Sequence, residues 1–571
     1  MKDSLPGVAR HFSCYNKDMN QGRKLWQDEA IYQIYPRSFC DSNGDGIGDI
    51  PGIISKLDYL KDLGVRILWL SPVYQSPLDD MGYDVADYRA IHPDLGTMED
   101  MDRLIKEADQ RGLKIVMDLV VNHTSDEHEW FLKSKDPNSP YHDFYIWRKG
   151  KKNNKKPPNN WTSMFVGSAW TYVPEVGEWY LHLYGEKQPD LNWHNPKVYE
   201  EVKSIIEFWL DKGIYGFRCD VINQIYKTSL DDGKGLAPSG RGMEHYLNQP
   251  GNHEILRRFH EEIFAKRGDC LMLGETFNVD YQNGKQFQEN KELDIFFIFD
   301  HMMIDKSYNP LARPKFSVKK FMDTIYAWQE HCPMMANYLE NHDQRRSISR
   351  FGDSKNYWKQ SGKMLALLNL TLRGVPFVYE GEELGMVDMP RYEHHDEYKD
   401  VACKRVFSLM KKFKVFSTSY CEKFINQLNR DHARTPVQWN SSPNGGFSPE
   451  GVETWLPVNP DYPVINAESE QEDPDSILHY YKDLLHYRSS SEILRLGSFQ
   501  KVQLEGPVYA FLREYEGKKS MTVLNFSAKE SPLPEEVASF GGKLLFSNYG
   551  KAALEGMKTL APFEAFLLVK E

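Results

Sequence analysis

The stretch MEDMDRLIKEADQRGLKIVMDLV, Met98–Val120, carries the pattern on which the fold turns. Its first part repeats apolar residues at helical spacing up to Arg111, and from Lys114 it becomes a short run of β-branched and apolar residues. The same change of period recurs along the chain. Candidate strands lie near Ala30–Pro36, Val65–Leu70, Lys114–Val120, Gly216–Asp220, Leu271–Glu275, Ile295–Phe299, Met335–Leu339 and Pro376–Tyr379, with helical segments such as Pro196–Lys212 between them. Eight alternations predict an α/β fold, a closed (β/α)8 TIM barrel with its function on the loops at the strands' C-terminal ends.

The spacing is uneven in an informative way. About 95 residues separate the third and fourth strands, far more than a crossover needs, and they are rich in tryptophan (Trp130, Trp147, Trp161, Trp170, Trp179, Trp193). They predict an inserted domain, 124–194, overhanging the barrel mouth. A second insertion of about 60 residues, 381–440, follows the eighth strand. From 495 to 571 short alternating strands without helical period predict an antiparallel β-domain. The barrel itself takes 25–123 and 195–494, after a polar leader, 1–24.

Over 571 residues, 82 acidic side chains face 70 basic ones, and the net charge of −12 repels nucleic-acid phosphates and anionic lipid surfaces. The seven cysteines show no C-x-x-C pair or metal spacing, so they read as free thiols of a cytoplasmic protein. No stretch approaches the roughly 20 apolar residues of a membrane span, and no signal-peptide core opens the chain. A monomer or weak homo-oligomer acting on small molecules, with no membrane or nucleic-acid partner, is expected.

Three carboxylates stand at or just past candidate strand ends: Asp220 in GFRCD, Glu275 in LMLGE and Asp343 in YLENHD. In a barrel these positions converge on one mouth. Glycoside hydrolysis needs one carboxyl group to protonate the leaving oxygen and one to attack or to activate water. A single strand-end acid is as often a helix cap or a loop salt bridge. Three together, with Arg218 two residues before Asp220 and His342 beside Asp343, favour chemistry.

GFRCD, GE, ENHD and DLVVNH (Asp118 to His123), in the order in which they stand, resemble the α-amylase superfamily. The likeness is greatest to its oligo-1,6-glucosidase and α-glucosidase branch, through IYQIYPRSFCDSNGDGIGDI, QPDLNW (Gln188–Trp193) and RDHARTPVQW (Arg430–Trp439). The resemblance implies that Asp220 is the nucleophile of a retaining mechanism, Glu275 the general acid and base, and Asp343 the transition-state stabiliser. It further implies that Arg218 orients Asp220, that His123 and His342 bind the glucosyl unit, and that Tyr83 stacks on its ring. Asp80 with Arg434 would close the pocket behind the non-reducing end and make the enzyme exo-acting, with Arg430 the competitor for that pairing. Val221, after the nucleophile, resembles members that cleave α-1,6 bonds, which points to isomaltose and short isomalto-oligosaccharides.

Two departures bear on substrate. Arg345 stands where relatives usually have proline, and Thr276 where many have methionine; placed near the entrance, both would favour a polar aglycone site. An α-1,4-glucosidase or sucrose-cleaving enzyme and a trehalose-6-phosphate hydrolase are therefore the alternatives. A sucrose isomerase is a weaker one, since the RLDRD signature is missing after Phe299. A non-catalytic interaction module is opposed by the retained carboxylates and by the missing membrane span that such relatives carry.

The loop Asp41-Ser-Asn-Gly-Asp-Gly-Ile-Gly-Asp49 places oxygen groups at alternate positions with glycines at the bends, as loops that wrap hard cations do. Its twelfth position is Gly52, so it is not an EF-hand. In the resembled branch Asp41, Asn43, Asp45, the Ile47 carbonyl and Asp49 would hold a structural Ca²⁺, or Mg²⁺ in its place. The bland alternative is a cluster of Asx turns. No organic cofactor is expected.

Overall fold

The computed structural model describes residues 22–306, 315–390, 398–413 and 416–570. Eight strands pair in parallel: β1 (Ile31–Ile34), β2 (Ile67–Leu70), β3 (Lys114–Leu119), β4 (Gly216–Cys219), β5 (Leu271–Glu275), β6 (Ile295–Phe297), β7 (Ala336–Asn337) and β8 (Val375–Tyr379). Their order is β6-β5-β4-β3-β2-β1-β8-β7, and β6 lies beside β7 at the remaining seam, which closes the ring of a TIM barrel. Ile31 lies opposite Ile67 on one side and Phe377 on the other. Nearly every strand residue is buried, as expected where helices cover the sheet's outer face and side chains fill its inside.

The helices form for local reasons. Met98–Gln110 starts at a reciprocal cap in which the Thr97 hydroxyl accepts from the Asp100 N–H and the Asp100 carboxylate accepts from the Thr97 N–H. Pro196–Asp211 has proline in its first turn and Asn195 accepting from the Lys197 N–H, and it buries Val202, Ile205, Ile206 and Trp209. The eight predicted strands all occur. β7 is the shortest, because beyond Asn337 the chain leaves the sheet for a loop that closes where the Gln344 N–H donates to the Asn341 carbonyl. Asp343 rides on that loop.

Between β3 and β4 a three-stranded sheet, Trp147–Arg148, Glu178–Leu181 and Trp170–Val173, forms the overhang. Its core unites Trp161, Trp170, Leu181 and Leu183 with Tyr246, which belongs to the segment after β4. The Trp161 indole donates to the Asp231 carbonyl and Asn159 to that of Leu230, so two loops build the overhang. Trp130, Trp147 and Trp193 join the main core instead.

After β8 come the helices Val401–Phe413 and Thr418–Asn426, whose shared core also touches Val166 of the overhang. At the C-terminal end β9 (Ser498–Val502), β10 (Val508–Tyr515), β11 (Lys518–Asn525), β12 (Lys543–Ser547) and β13 (Ala565–Lys570) form an antiparallel sheet in the order β9-β10-β11-β13-β12. Buried Arg513 of this sheet donates to the Thr371 carbonyl of the barrel. The six cysteines among the described residues are buried and free, and no helix there is long and apolar enough to cross a membrane.

Candidate active site

Arg218, on β4 and buried, is the hub of the mouth. Its Nη1 lies 2.7 Å from Asp118 Oδ1 and 2.7 Å from Asp220 Oδ1, while Nη2 lies 2.7 Å from Glu275 Oε2. One fixed guanidinium fork thereby gathers the ends of β3, β4 and β5. Asp118 also accepts from the Trp69 indole (3.2 Å) and the Tyr83 hydroxyl (3.1 Å).

Three buried carboxyls against one cation cannot all ionise readily. Burial pushes Asp118 up to about 6 against the pull of Arg218. Burial raises Asp220 further, with Glu275 and Asp118 adding to the effect and Arg218 opposing it. Asp220 therefore holds its proton more readily than an ordinary carboxyl does.

Val221 closes the arrangement. Its backbone has φ +38° and ψ +38°, in the left-handed region that disfavours a β-branched residue, and this turns its N–H onto Glu275 Oε2 at 3.1 Å. The sequence marks Val221 only as a side chain; its strained backbone carries no sequence signal.

Asp343 has the opposite environment. Its Oδ1 accepts from Arg430 Nη1 (2.9 Å) and Arg434 Nη2 (2.8 Å), and its Oδ2 faces His342 Nε2 at 3.5 Å. Burial works to raise this carboxyl, but His342, Arg430 and Arg434 outweigh burial and hold it below the usual carboxylate range. It is charged whenever the protein is folded near neutrality.

Both histidines are neutral. Burial lowers His123 to about 4 and His342 to about 3. His123 Nε2 lies 3.0 Å from the Tyr83 carbonyl, so its ring braces the loop that carries Tyr83. The Tyr83 ring stacks on that of His342, with centroids 5.3 Å apart and planes within 5°.

Asp80 reaches the same mouth but not the partner implied for it. Asp80 Oδ1 lies 3.5 Å from Arg430 Nη2, whereas Arg434 donates to the His342 carbonyl (2.9 Å) and to Asp343. Arg430 stands just before the short helix Asp431–Arg434 and is steered by Asp400, which accepts from its Nη2 at 2.8 Å and from its N–H at 3.1 Å. Arg434, one turn later, is drawn inward. The pairing expected between Asp80 and Arg434 is therefore corrected to Asp80 and Arg430.

Gln188 of QPDLNW donates to Asp80 Oδ2 (3.1 Å) and to the Tyr83 carbonyl (3.1 Å), tying the overhang to the pocket floor. Lys227, also buried, bridges Asp190 (2.6 Å) and Asn122 (2.8 Å) across the same seam. Both Gln188 and Asn122 sit in motifs visible in the sequence, but Lys227, in the segment after β4, and Asp400, in the second insertion, are single residues that carry no pattern.

Both substitutions expected at the entrance have partners within the protein. Arg345 forks onto Asp388 through Nε and Nη2, which cancels its charge locally. Thr276 is fully buried and donates to the Phe297 carbonyl at 2.7 Å.

The Asp41–Asp49 loop is closed by its own hydrogen bonds. Asp41 accepts from the N–H groups of Asn43, Gly44 and Gly46 and from Ser448, Asp45 from the Ile47 N–H, and Asp49 from Gly52 and Ser42. Among the described residues no three His, Cys, Asp or Glu side chains converge as a metal cluster. As a donor set, three carboxylates, one amide and one backbone carbonyl still suit a hard cation.

The catalytic-domain model of the α-amylase family matches residues 33–497. An oligo-1,6-glucosidase from Parageobacillus thermoglucosidasius is 44% identical over 562 residues, 95% of this chain and 98% of that protein. One from Bacillus cereus is 42% identical over 566 residues, 95% and 99%. Among solved structures, a trehalose-6-phosphate hydrolase from Bacillus licheniformis superposes with a TM-score of 0.88 at 38% identity, over 96% of this chain and 100% of that one. Likeness of this extent goes beyond a shared barrel, and the chain belongs to the α-amylase family of glycoside hydrolases.

Proposed function

We propose that this glycoside hydrolase is a retaining, exo-acting α-glucosidase that removes glucose from isomaltose and short isomalto-oligosaccharides at their α-1,6 bonds. The observation that carries the reading is the arrangement at the mouth: Asp220 and Glu275 share the Arg218 guanidinium at 2.7 Å each, beside an Asp343 that Arg430 and Arg434 favour in its charged form. Asp220 attacks the anomeric carbon while Glu275 gives its proton to the departing sugar oxygen, leaving a glucosyl ester on Asp220. Water then attacks the same carbon as Glu275 takes up its proton, and Asp220 departs. Asp343 stabilises the positive charge that builds on the ring in both steps. The Asp80–Arg430 pair is assigned the closing of the pocket behind the non-reducing end, which favours removal of single glucose units; its support is the 3.5 Å contact at the same mouth.

An uncharged aglycone fits a mouth where Arg345 is held by Asp388. Linkage preference rests on Val221, half-exposed at the mouth next to the nucleophile. Val221→Ala and Val221→Thr are expected to raise maltose turnover relative to isomaltose by about tenfold, the scale of one or two methyl groups in a pocket. Paired kcat/KM measurements on the two sugars check this, and an unchanged ratio removes Val221 from the reading.

The Asp41–Asp49 loop is proposed to bind Ca²⁺ through Asp41, Asn43, Asp45, the Ile47 carbonyl and Asp49, with Mg²⁺ as the substitute. The ion would supply structural cross-linking and no chemistry. The expected result is a Tm several degrees lower after chelation and restored by Ca²⁺, since a ligand that binds only the folded state at about 100 times its Kd adds about 2.7 kcal/mol. An unaltered Tm leaves the loop as an Asx-turn cluster. The buried free cysteines suit a reducing compartment, and a cytoplasmic monomer or weak homo-oligomer is the proposed state.

A further inference from the structure

Gln33 is the third residue of β1, is 2% exposed, and has no part in the chemistry above. Its side-chain Nε2 lies 2.8 Å from His342 Nδ1 and 3.2 Å from Ser71 Oγ. The His342 ring cannot turn away from it. The ring is 1% exposed and sandwiched between Tyr83 (5.3 Å, 5°) and Tyr35 (6.0 Å, 17°), with the edge of Trp69 against it at 6.1 Å.

One proton is left to place on this ring. Burial, with the charges of Arg434, Arg218 and Arg430, keeps it neutral against the opposing pull of Asp343. The phenols of Tyr35 and Tyr83 stay protonated, since burial raises both. If Nδ1 held the proton, Gln33 would have to present its carbonyl, and the bare Nε2 would face the Asp343 carboxylate at 3.5 Å as acceptor against acceptor. If Gln33 presents its N–H, Nδ1 accepts and Nε2–H points at Asp343 and the open mouth.

We propose that Gln33 is a positioning residue that fixes His342 as the Nε2–H tautomer, so that a hydrogen-bond donor faces Asp343 and the glucosyl hydroxyls beside it. The role in sugar binding rests on the glucosidase reading; the tautomer does not. With the proton held at Nε2, His342 and Asp343 present one donor and one charged acceptor side by side, a pair that two neighbouring hydroxyls of a sugar can span.

The test uses the full chain with histidine-selective ¹⁵N labelling and p-nitrophenyl α-glucoside as probe. The His342 signal is identified by its loss in His342→Asn. The expected resting spectrum has a pyridine-like Nδ1 and a pyrrole-like Nε2; the reverse overturns the proposal whatever the substrate proves to be. In Gln33→Glu the new carboxyl donates to Nδ1 only while protonated and claims the Nδ1 proton once ionised. Its kcat/KM relative to wild type is therefore expected to fall by roughly 10–100-fold as pH rises, the scale of a lost charge-assisted hydrogen bond. Gln33→Leu is expected to lose a constant factor at every pH and to show mixed tautomers. If Gln33→Glu tracks the wild-type pH profile at a constant ratio, Gln33 is a packing residue and the proposal fails. Loss of p-nitrophenyl hydrolysis in the wild type would instead refute the glucosidase reading and leave the spectrum to decide the tautomer.

Discussion

Asp220→Asn is expected to lower kcat for isomaltose by about 10⁴–10⁶-fold, the range seen when a residue that forms or supports a covalent intermediate is removed. The amide is too weak a nucleophile to form the glucosyl ester, but it keeps the size of the carboxyl and can still accept from Arg218. Stability is expected to move the other way. Arg218 faces Asp118, Asp220 and Glu275, and burial with like-charge neighbours already disfavours ionised Asp220. Replacing it by a neutral group relieves that repulsion, so Tm holds or rises. Initial rates together with a melting curve check both halves. A variant with more than a hundredth of wild-type kcat and an intact fold removes Asp220 from the nucleophile's role.

Arg218→Met is the counterpart, with the largest effect on stability. It takes from three buried carboxyls the guanidinium that they share and replaces it with an apolar chain of similar length. Removing one partner from a buried charge cluster destabilises by about 3–5 kcal/mol. The sign with pH follows from the raised carboxyls. A group whose folded pKa exceeds its unfolded value binds its proton more tightly in the native state, so stability is full below the unfolded pKa and is lost as pH rises through the folded one. Without Arg218 that upward shift grows for Asp118 and Asp220. The gap between variant and wild type is therefore expected to be wide at pH 8 and narrower at pH 5, in denaturant titrations at each pH. A pH-independent gap would mean that the loss is one of packing alone.

Much of this site can be read before the fold is known, for a physical reason. In a parallel barrel the strands are short apolar runs, and the polar residues at or soon after the end of each run are delivered to one rim. Asp220, Glu275 and Asp343 are recognisable from period and position together. Partner choice is less legible. Arg430 and Arg434 lie one helical turn apart, and which of them meets Asp80 is decided by Asp400, in another part of the same insertion. Thr276 and Arg345 read as entrance residues because they follow Glu275 and Asp343 closely in the chain, yet one is turned into a strand carbonyl and the other into Asp388. Sequence neighbours at a strand end share its position but not its direction.

The overhang shows the same limit at the level of folding. Its tryptophans announce a separate core, but Tyr246 completes that core from across β4. Nothing in the composition of the segment 226–249 marks it as part of that layer. The strained Val221 is legible only as a residue type, because its left-handed backbone opposes the β-branched preference on which strand prediction relies.

The central claim, single-glucose removal at α-1,6 bonds, is tested most directly by one competition assay. Purified protein is incubated with equimolar isomaltose, isomaltotriose, maltose, sucrose, trehalose and trehalose 6-phosphate, and the mixture is followed by chromatography. The account predicts that isomaltose and isomaltotriose disappear first, with glucose as the main product. Preferential loss of trehalose 6-phosphate, sucrose or maltose would contradict it.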